Sequence, residues 1–542
     1  MALFLLLVAL HGRARTSQAR ARAVGELNRR GVARVRRDWS ALPAPTERTP
    51  PDHAYAADLD VAGTAASLYR LLDVVSRATG RPTLMRWLLE PAPSISVIAA
   101  RQGAVSELAQ STELREDLAL FARDARDAAP AQFDDFLRWA EGQPTLADAR
   151  ALVWGSFIIP FLTIATTVLA FLRWLPWLVP AFSLLVGIVL LGAYRMRIAA
   201  GLTSLLSHGT GLRGQQRMLE RVGRSEFVSP YLLELRARTA GGAEALRALE
   251  RTMALIEGQG SLTHAIVNTA LLWDVHALTR LDRWRKRYGA RLRDCLDALG
   301  DVEAVAALGM LTHDNPTWTF PLFEETSLSV TGTNVGHPLI AAAVRVGNDV
   351  TVGPPGTLLL VTGSNMSVKS TLLRAIGLNI VLAQAGAPVC AAQLRLPRLE
   401  LRTSIRLADS LERGVSLFMA ELERLKEIVD AARAPNRERL LLYLLDEILH
   451  GTNTAERLIA ARAVLGYLLH AGAIGAVTTH DLTLAADGEL ATASQPVHFT
   501  EQVSSQRDGG EPGMTFDYRL RPGLATSTNA LKLLALVGLR ER

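Results

Sequence analysis

A stretch of nine residues in the C-terminal half has the composition and setting of a phosphate-binding loop. It comprises Gly363, Ser364, Asn365, Met366, Ser367, Val368, Lys369, Ser370 and Thr371. It follows the apolar run 358–362, which is typical of a short buried strand, and a helical pattern continues from it through Leu378. Backbone N–H groups at a helix start bind phosphate oxygens, Lys369 would reach the β- and γ-phosphates, and the Ser370 hydroxyl would ligate Mg²⁺. The stretch therefore predicts a site for ATP with Mg²⁺.

One position departs from the usual phosphate-loop pattern, which has glycine directly before the lysine. Here that residue is Val368. A β-branched side chain restricts the backbone and adds bulk beside the phosphates. The departure leaves two alternatives open: a chance strand–loop–helix, and a nucleotide site in which hydrolysis is slow or absent.

Two further polar groups follow apolar runs that read as strands. Asp446 and Glu447 end the run that begins at Leu441, and His480 ends the run 473–479. An acid at the end of such a strand can hold Mg²⁺ through water, and the next acid can polarise the attacking water. His480 can sense the γ-phosphate, although a lone histidine is more often a satisfied core residue. We expect Asp446 in the metal site, with Glu447 and His480 as catalytic residues.

The composition limits the kind of protein these residues belong to. Of 542 residues, 49% are hydrophobic and 21% are charged, which excludes a largely disordered chain. The net charge of +6 suits either DNA or an anionic membrane surface. With only two cysteines, neither a disulfide framework nor a cysteine metal cluster can form. After about residue 315, strand and helix patterns alternate, which predicts a largely parallel α/β sheet.

Apolar segments in the first 200 residues predict contact with a membrane. The runs 151–172 and 174–194 contain no charged residue, and each has about the length of a spanning helix. Trp174 and Trp177 lie at the turn between them, and arginines flank the pair, which predicts cytoplasmic ends. The alternative is a helical hairpin buried in a large core. The first ten residues are apolar but short and precede a basic segment, so we expect them to touch the membrane or to belong to a longer helix.

The order of these motifs resembles the MutS family. The resemblance rests on GSNMSVKST, LLDEILHGTNTAER and TTHDLTL, and on DSLERGVSLFMAELERL at 409–425. Asn348-Asp349 resembles the family's N-D element beside the nucleotide, and Gly336-His337-Pro338 resembles the opening of its ATPase domain. Upstream, residues 58–91 and the pair Arg101-Gln102 are similar to the family's helical core. The resemblance covers roughly residues 55–150 and 195–542.

The resemblance implies a homodimer with two composite ATP sites. Lys369, Ser370, Asp446 and Glu447 would act in cis, Asn348 would lie beside the nucleotide, and Ser416 would face the ATP of the partner subunit. The fold class expected is α plus α/β: a helical core and lever domain, interrupted by a transmembrane hairpin, then a P-loop ATPase domain. The expected divisions are a basic segment and linker at 1–55, helical core at 56–150, the hairpin at 151–194, more helical core at 195–314, and the ATPase domain at 315–542.

Departures from the family leave the function open between different classes. The mismatch-reading domain, with its Phe-x-Glu wedge, and the connector domain have no counterpart in this sequence, and the apolar hairpin occupies the place of the DNA clamp. One expectation is a DNA-binding ATPase of the repair class in the cytoplasmic membrane, with its ATPase domain in the cytoplasm and non-specific DNA binding. The other is a nucleotide-gated membrane switch or scaffold that does not act on DNA. The basic stretch Arg280 to Arg293 could touch phosphates, although a solvated helix face is the commoner explanation.

Overall fold

The fold is given by a computed structural model. It describes residues 1–45, 47–50, 52–125, 130–146, 149–206, 212–255, 261–363, 366–406, 417–434, 438–449, 454–485, 488–504 and 513–524. All statements below concern these residues.

Helices occupy the first three fifths of the chain, and strands alternate with helices in the rest. The helices are α1 (Ala2–Arg36), α2 (Leu68–Leu72), α3 (Gly80–Leu89), α4 (Ile95–Gln110), α5 (Thr112–Asp124), α6 (Pro130–Glu141), α7 (Arg150–Phe171), α8 (Leu178–Leu206), α9 (Leu212–Gly223), α10 (Pro230–Arg238), α11 (Gly242–Met253), α12 (Leu262–Leu271), α13 (Trp273–Trp284), α14 (Ala290–Asp314), α15 (Met366–Ala385), α16 (Leu417–Arg433), α17 (Thr454–His470) and α18 (Glu489–Ala493). The strands are β1 (Leu322–Phe323), β2 (Val330–Val335), β3 (Asn348–Val352), β4 (Leu358–Thr362), β5 (Gln393–Leu396), β6 (Leu399–Ser404), β7 (Leu440–Asp446), β8 (Ile474–Thr478), β9 (Ser494–Ser504) and β10 (Gly513–Pro522). A π-helical turn, Arg285–Gly289, joins α13 to α14. The mixed helical and α/β composition expected from the sequence is confirmed.

The chain divides into two compact units. The first contains residues 1–73, 85–110 and 308–542, and the second contains 74–84 and 111–307. The segment 56–150, which the sequence assigns to one helical domain, contributes to both units. Its middle part, 85–110, belongs with the unit that contains the sheet. Arg439, next to β7, donates to the Ala92 carbonyl at 3.0 Å, and Arg398, next to β6, donates to the Pro93 carbonyl at 2.9 Å. Such long-range contacts are not encoded in helical periodicity.

The first unit is built on a mostly parallel sheet. Within the described residues, its strand order is β10-β9-β4-β8-β7-β6, and β10 alone runs antiparallel to its neighbour. A smaller sheet has the order β1-β5-β2-β3. All five residues of β4 and of β8 are buried, as expected for central parallel strands covered on both faces. Their carboxyl ends, together with that of β7, share one edge of the sheet, where ligands bind in folds of this class.

A tight contact fixes the register between β7 and β8. The Tyr443 ring is fully buried and lies against Gly475, where an added Cβ would meet the ring carbon Cε2 at 2.1 Å. Any larger residue at 475 would push the two strands apart. The pair holds Asp446 beside Thr478 in the ladder, so it positions polar residues at the carboxyl edge.

The second unit is a helical assembly held by leucine-rich faces. Leu219 of α9, Leu246 of α11 and Leu281 of α13 are buried, and the indole N–H of Trp284 donates to the Ala245 carbonyl at 2.7 Å. Glu303 is the most deeply buried carboxylate among the described residues of these helices, and it accepts hydrogen bonds from the Ser76 backbone and from the hydroxyls of Ser76 and Thr79. Burial raises the pKa of Glu303, and these donors oppose the shift.

Helix α1 is long, and only its C-terminal end is embedded. Arg34 pairs with Asp314 at 3.0 Å, and the Arg37 guanidinium donates to the Pro338 carbonyl at 2.9 Å and to Asn315 Oδ1 at 3.0 Å. Desolvation by burial, reinforced by the nearby Arg345 charge, lowers the pKa of Arg37 to about 10. The apolar residues near the other end are exposed, including Leu3, Phe4 and Leu7. The embedded end thus lies beside the loop that carries His337.

The apolar runs predicted as a hairpin form α7 and α8. The Thr163 and Ser183 hydroxyls are hydrogen-bonded at 2.6 Å, and an added Cβ on Gly187 would lie 3.4 Å from Ile159. Among the described residues, Ala151–Phe171 is the one helical stretch long and apolar enough to cross a membrane by length and composition. The apolar part of α8, Leu178–Tyr194, is shorter, about 26 Å at 1.5 Å per residue. At 17 residues this described stretch lies at the lower end of the range of about 17–25 residues found for spanning helices.

Candidate phosphate-binding site

Three neighbouring strands bring the predicted site residues to one edge of the sheet. The register pairs Val361 of β4 with Thr478 of β8, and Thr478 with Asp446 of β7. Because β4, β7 and β8 are parallel, the chain leaves all three at the same level. The loop before α15, the acids after β7 and the histidine after β8 consequently meet there.

The start of α15 follows a glycine in a conformation that other residues rarely adopt. Gly363 has a φ of 138°, and a Cβ added there would lie 3.1 Å from the Phe499 carbonyl oxygen. This glycine lets the backbone turn from β4 into the loop. Met366 and Ser367 begin α15, whereas Ser364 and Asn365 lie outside the described residues.

Lys369 is fully buried at the centre of the site. Its Nζ donates to the Gly363 carbonyl at 2.9 Å and to the Thr479 carbonyl at 3.3 Å, and it lies 3.6 Å from Glu447 Oε1. The ammonium group is thus held across the mouth of the loop by two carbonyls and one carboxylate. A phosphate group could take over these contacts because it offers acceptors of greater negative charge.

The residues expected to hold Mg²⁺ are adjacent. The Ser370 hydroxyl donates to Asp446 Oδ2 at 2.5 Å, and the Thr478 hydroxyl donates to Asp446 Oδ1. Mg²⁺ prefers hard oxygen ligands and takes few from the protein, keeping water and substrate phosphates for the remainder. One hydroxyl and one carboxylate beside a phosphate loop fit that preference. Ser370 and Asp446 are therefore the residues that would hold the ion.

Glu447 is placed between the lysine and the histidine. His480 Nε2 lies 2.6 Å from Glu447 Oε1, on the carboxylate oxygen that also faces Lys369. The Glu447 backbone has a φ of 48°, an uncommon conformation for a side-chain-bearing residue, and its N–H lies 3.1 Å from Thr478 Oγ1. Such strain is found where the surrounding structure determines the conformation. Through the contacts of its carboxylate, Glu447 connects His480 to Lys369, which is compatible with the catalytic roles predicted from the sequence.

The pocket beside α15 is formed by residues that lie far apart in the sequence. A cavity of about 570 Å³ is lined by His337, Arg345, Asn348, Val368, Thr371, Phe499 and Tyr518, among others. Asn348 supports its wall, since its amide donates to the Tyr518 carbonyl at 3.0 Å and accepts from the Leu520 N–H at 2.7 Å. Val368 is buried and faces this cavity, so its bulk lies on the cavity side of the helix.

The sequence alone did not identify Thr478, Phe499 and Tyr518 as residues of this site. One predicted residue, Ser416, lies outside the described part of the chain. The roles of Thr478 and of Phe499 and Tyr518 depend on strand pairing, although the doubled threonine in TTHDLTL was a usable signal for the first. Ser416, expected to act on the partner subunit's nucleotide, lies outside the described residues. Met366 and Ser367 are placed only as backbone.

The basic stretch Arg280 to Arg293 separates into two sets. Arg285 is buried over the Trp139 ring at 5.0 Å, and Arg293 pairs with Glu141 at 2.6 Å, so both stabilise the helical unit. The exposed residues are Arg280, Arg283, Lys286, Arg287 and Arg291, of which Arg287 also lies 3.3 Å from Glu244. Only the exposed set is available for an anionic partner.

The buried lysine predicts a measurable coupling between nucleotide and protons. Burial lowers the pKa of Lys369 from 10.5 to about 8, with the Glu447 and Asp446 charges opposing the shift. Between these values the unfolded chain binds more protons, so Lys369 should make the nucleotide-free protein more stable as pH rises from about 8 toward 10.5. Phosphate should favour the charged amine, so triphosphate binding near pH 8.5 should take up protons.

Calorimetric titration in two buffers of different ionisation enthalpy measures this uptake. We expect uptake near pH 8.5 that falls toward zero near pH 6.5, where the amine is already charged, after subtraction of the free nucleotide's own titration. Lys369→Met is the control, because it keeps the length of the side chain and removes the titrating group. Equal uptake by the variant would exclude Lys369 as the coupled group.

Comparison with known proteins gives a family for this region and for most of the chain. Residues 359–542 match the family profile described as MutS domain V. The DNA mismatch repair protein MutS 2 of Halobacterium salinarum is 32% identical over 257 residues, 46% of this chain and 27% of that protein. The DNA mismatch repair protein MutS of Methanosarcina acetivorans is 25% identical over 527 residues, 89% of this chain and 57% of that protein. MutS of Azorhizobium caulinodans is 28% identical over 541 residues, 87% of this chain and 55% of that protein.

The chain spans little more than half the length of the Methanosarcina and Azorhizobium proteins, which match most of it. The matches that extend over most of this chain reach well beyond the profile, into the helical part. The resemblance seen in the motifs is thus confirmed over the greater part of the sequence.

Proposed function

Because this chain belongs to the MutS family, we propose that it is a Mg²⁺-dependent ATPase that couples nucleotide state to non-specific DNA binding at a membrane. The observation that carries the proposal is the convergence of Lys369, Ser370, Asp446, Glu447 and His480 at one sheet edge. This combination supplies a phosphate-binding cation, oxygen ligands for a metal and a carboxylate for water. Few other chemistries need all three together.

In the proposed reaction, each of these residues has a distinct role. Lys369 binds the β- and γ-phosphates, and it is released from Gly363 and Thr479 when it does so. Glu447 orients and polarises water, while His480 holds the Glu447 carboxylate through the contact at 2.6 Å. Ser370 and Asp446 would hold Mg²⁺, and the ion would supply positive charge that neutralises the phosphates. The cavity lined by Asn348 and Tyr518 lies where the nucleoside would be placed.

We propose a homodimer as the active form. The segment DSLERGVSLFMAELERL resembles the family's signature loop, in which Ser416 would reach the partner subunit's nucleotide. Two composite sites would then require two chains. The rate of hydrolysis per chain would therefore fall as the protein is diluted below the dimer dissociation constant.

Attachment to a membrane is proposed from exposed apolar side chains. Phe161, Phe171, Trp174 and Leu178 are each more than two thirds exposed on α7, α8 and the turn between them. Soluble proteins seldom expose contiguous apolar patches of this kind unless they contact a membrane or another protein. The proposed location is the cytoplasmic membrane, with the ATPase domain in the cytoplasm, in keeping with arginines at both flanks.

The same apolar surface favours a second candidate function: a nucleotide-gated membrane switch or scaffold that does not act on DNA. In this alternative the apolar helices occupy the place of a DNA clamp. ATP hydrolysis by detergent-solubilised protein, measured with and without duplex DNA, separates the two. Stimulation by DNA supports the first candidate, whereas DNA-independent hydrolysis supports the second. Absence of Mg·ATP binding would contradict both.

DNA binding, where it occurs, should be insensitive to mismatches. The exposed Arg280, Arg283 and Lys286 offer phosphate contacts, which carry no sequence information and weaken steeply with salt. Reading a mismatch needs a side-chain wedge and a clamp on bent duplex. Fluorescence anisotropy with matched and mismatched duplexes over a salt series is the measurement. We expect the matched and mismatched duplexes to bind with equal affinity, and both affinities to fall as the salt concentration rises. A several-fold preference for the mismatched duplex that persists at high salt would contradict this expectation.

A further inference from the structure

Thr478 lies at a point where one hydroxyl can act on both acids of the site. It is fully buried at the end of β8, directly beside Asp446 in the parallel ladder. Its hydroxyl donates to Asp446 Oδ1, and the hydroxyl oxygen accepts from the Glu447 N–H at 3.1 Å. The Thr478 carbonyl lies 3.3 Å from the same N–H. The threonine therefore fixes the side chain of one acid and the backbone of the next.

The two hydroxyls that bind Asp446 differ in what a metal ion would do to them. Ser370, on Oδ2, is itself a candidate metal ligand, so its hydrogen bond to Asp446 competes with metal binding. Thr478, on Oδ1, is on the adjacent strand and outside the metal set. Its hydrogen bond can persist while Oδ2 turns from Ser370 to the metal or a metal-bound water. A carboxylate held on one oxygen is already oriented for the other.

The neighbouring threonine has a different task. Thr479 Oγ1 accepts from the Asp481 N–H at 3.0 Å, which shapes the turn that follows His480. Its carbonyl holds Lys369 through the backbone, an arrangement open to any residue type. Of the two adjacent threonines that open TTHDLTL, Thr478 is the one whose side chain contacts Asp446 and Glu447 in the described structure.

We infer that Thr478 is a positioning residue that orients the Asp446 carboxylate for Mg²⁺ and holds Glu447 in its strained backbone conformation. The inference rests on the proposed ATPase function. Loss of the hydroxyl leaves the volume of the site nearly unchanged when valine replaces threonine, but Asp446 loses one partner and Glu447 loses the hydroxyl acceptor. Metal affinity should fall, and turnover should fall with it, while contacts to the nucleotide alone stay intact.

The test compares Thr478→Val and Thr478→Ser with the wild-type full chain. Fluorescent ATP is titrated in EDTA and again over a Mg²⁺ series, and ATP hydrolysis is followed over the same series. For Thr478→Val we expect the Mg²⁺ concentration for half-maximal turnover to rise roughly tenfold or more, as for loss of a hydrogen bond to a charged group. Affinity in EDTA should equal that of the wild type, and serine, which keeps the hydroxyl, should restore the wild-type Mg²⁺ midpoint.

The other possible results of this experiment distinguish failure of the inference from failure of the proposed function. A wild-type Mg²⁺ midpoint in Thr478→Val overturns the inference and leaves the proposed function standing. Equal losses with and without Mg²⁺, accompanied by a lower melting temperature, mean that the hydroxyl is purely structural, and this also overturns it. A wild-type protein that binds no Mg·ATP contradicts the proposed function itself. Should Thr478→Val fail to fold, Thr478→Ala is measured by the same criteria.

Discussion

Replacing Glu447 with glutamine should reduce ATP hydrolysis by about 10²-fold or more while leaving ATP binding intact. Glutamine has nearly the same shape and can still bond to His480, but it cannot accept a proton from water. Lys369 would lose a carboxylate at 3.6 Å and keep both carbonyl partners, so its affinity for phosphate should persist or rise. Single-turnover hydrolysis and equilibrium nucleotide binding, measured on the same preparation, separate the two effects.

The matched control is Glu325→Gln, which changes an exposed glutamate outside the site. It should leave both binding and hydrolysis at wild-type values. Wild-type hydrolysis in Glu447→Gln would show that another group activates the water. Equal loss of binding and hydrolysis would instead assign Glu447 to nucleotide binding, against its position behind Lys369.

A cysteine placed in the turn between α7 and α8 should react with an impermeant maleimide added to intact cells, whereas one placed on the helical unit should not. The two variants are Trp174→Cys and Val228→Cys, whose native side chains are 77% and 86% exposed. The proposed topology puts the turn across the membrane from both flanks, so only Trp174→Cys should be labelled before lysis. Both should be labelled after lysis.

The native background favours this experiment. Cys295 and Cys390 are buried, and burial raises the pKa values of their thiols to about 12 and about 11, so both remain protonated and unreactive at neutral pH. Labelling of neither engineered position in intact cells, together with recovery of the protein in the soluble fraction, would contradict the membrane proposal. Labelling of Val228→Cys alone would reverse the topology.

The sequence predicted those parts of the site that follow directly from chain order. Strands such as 358–362 are continuous apolar runs, and polar residues after parallel strands must meet at one edge, so Asp446, Glu447 and His480 could be placed beside Lys369 in advance. Where the sequence failed, the information lies in pairing between distant segments. The cavity is lined partly by residues of β9 and β10, which lie far along the chain from α15. The contact of Thr478 with Asp446 can be inferred only once the register between their strands is known.

The number of charged residues in a segment predicted its exposed surface less well than the order of motifs predicted the site. The stretch Arg280 to Arg293 reads as one basic surface, yet Arg285 is buried against Trp139 and Arg293 is engaged with Glu141. A guanidinium can stabilise a helical core as well as a surface, because its stem and flat face pack on aromatic rings. Counting charges along a helix therefore overstates the surface available to a partner.

The anchoring of α1 at one end has a mechanical consequence. A helix of 35 residues is about 52 Å long, so a tilt of about 6° at its base displaces its far end by about 5 Å. The base is bonded through Arg37 to the Pro338 carbonyl, next to His337 on the cavity wall. If α1 tilted as a rigid rod about this base, an adjustment of a fraction of an ångström beside the cavity would move the apolar tip by several ångströms. Conversely, a force on the tip of such a rod would act, with the leverage of its length, on the contacts of Arg34 and Arg37 at the base.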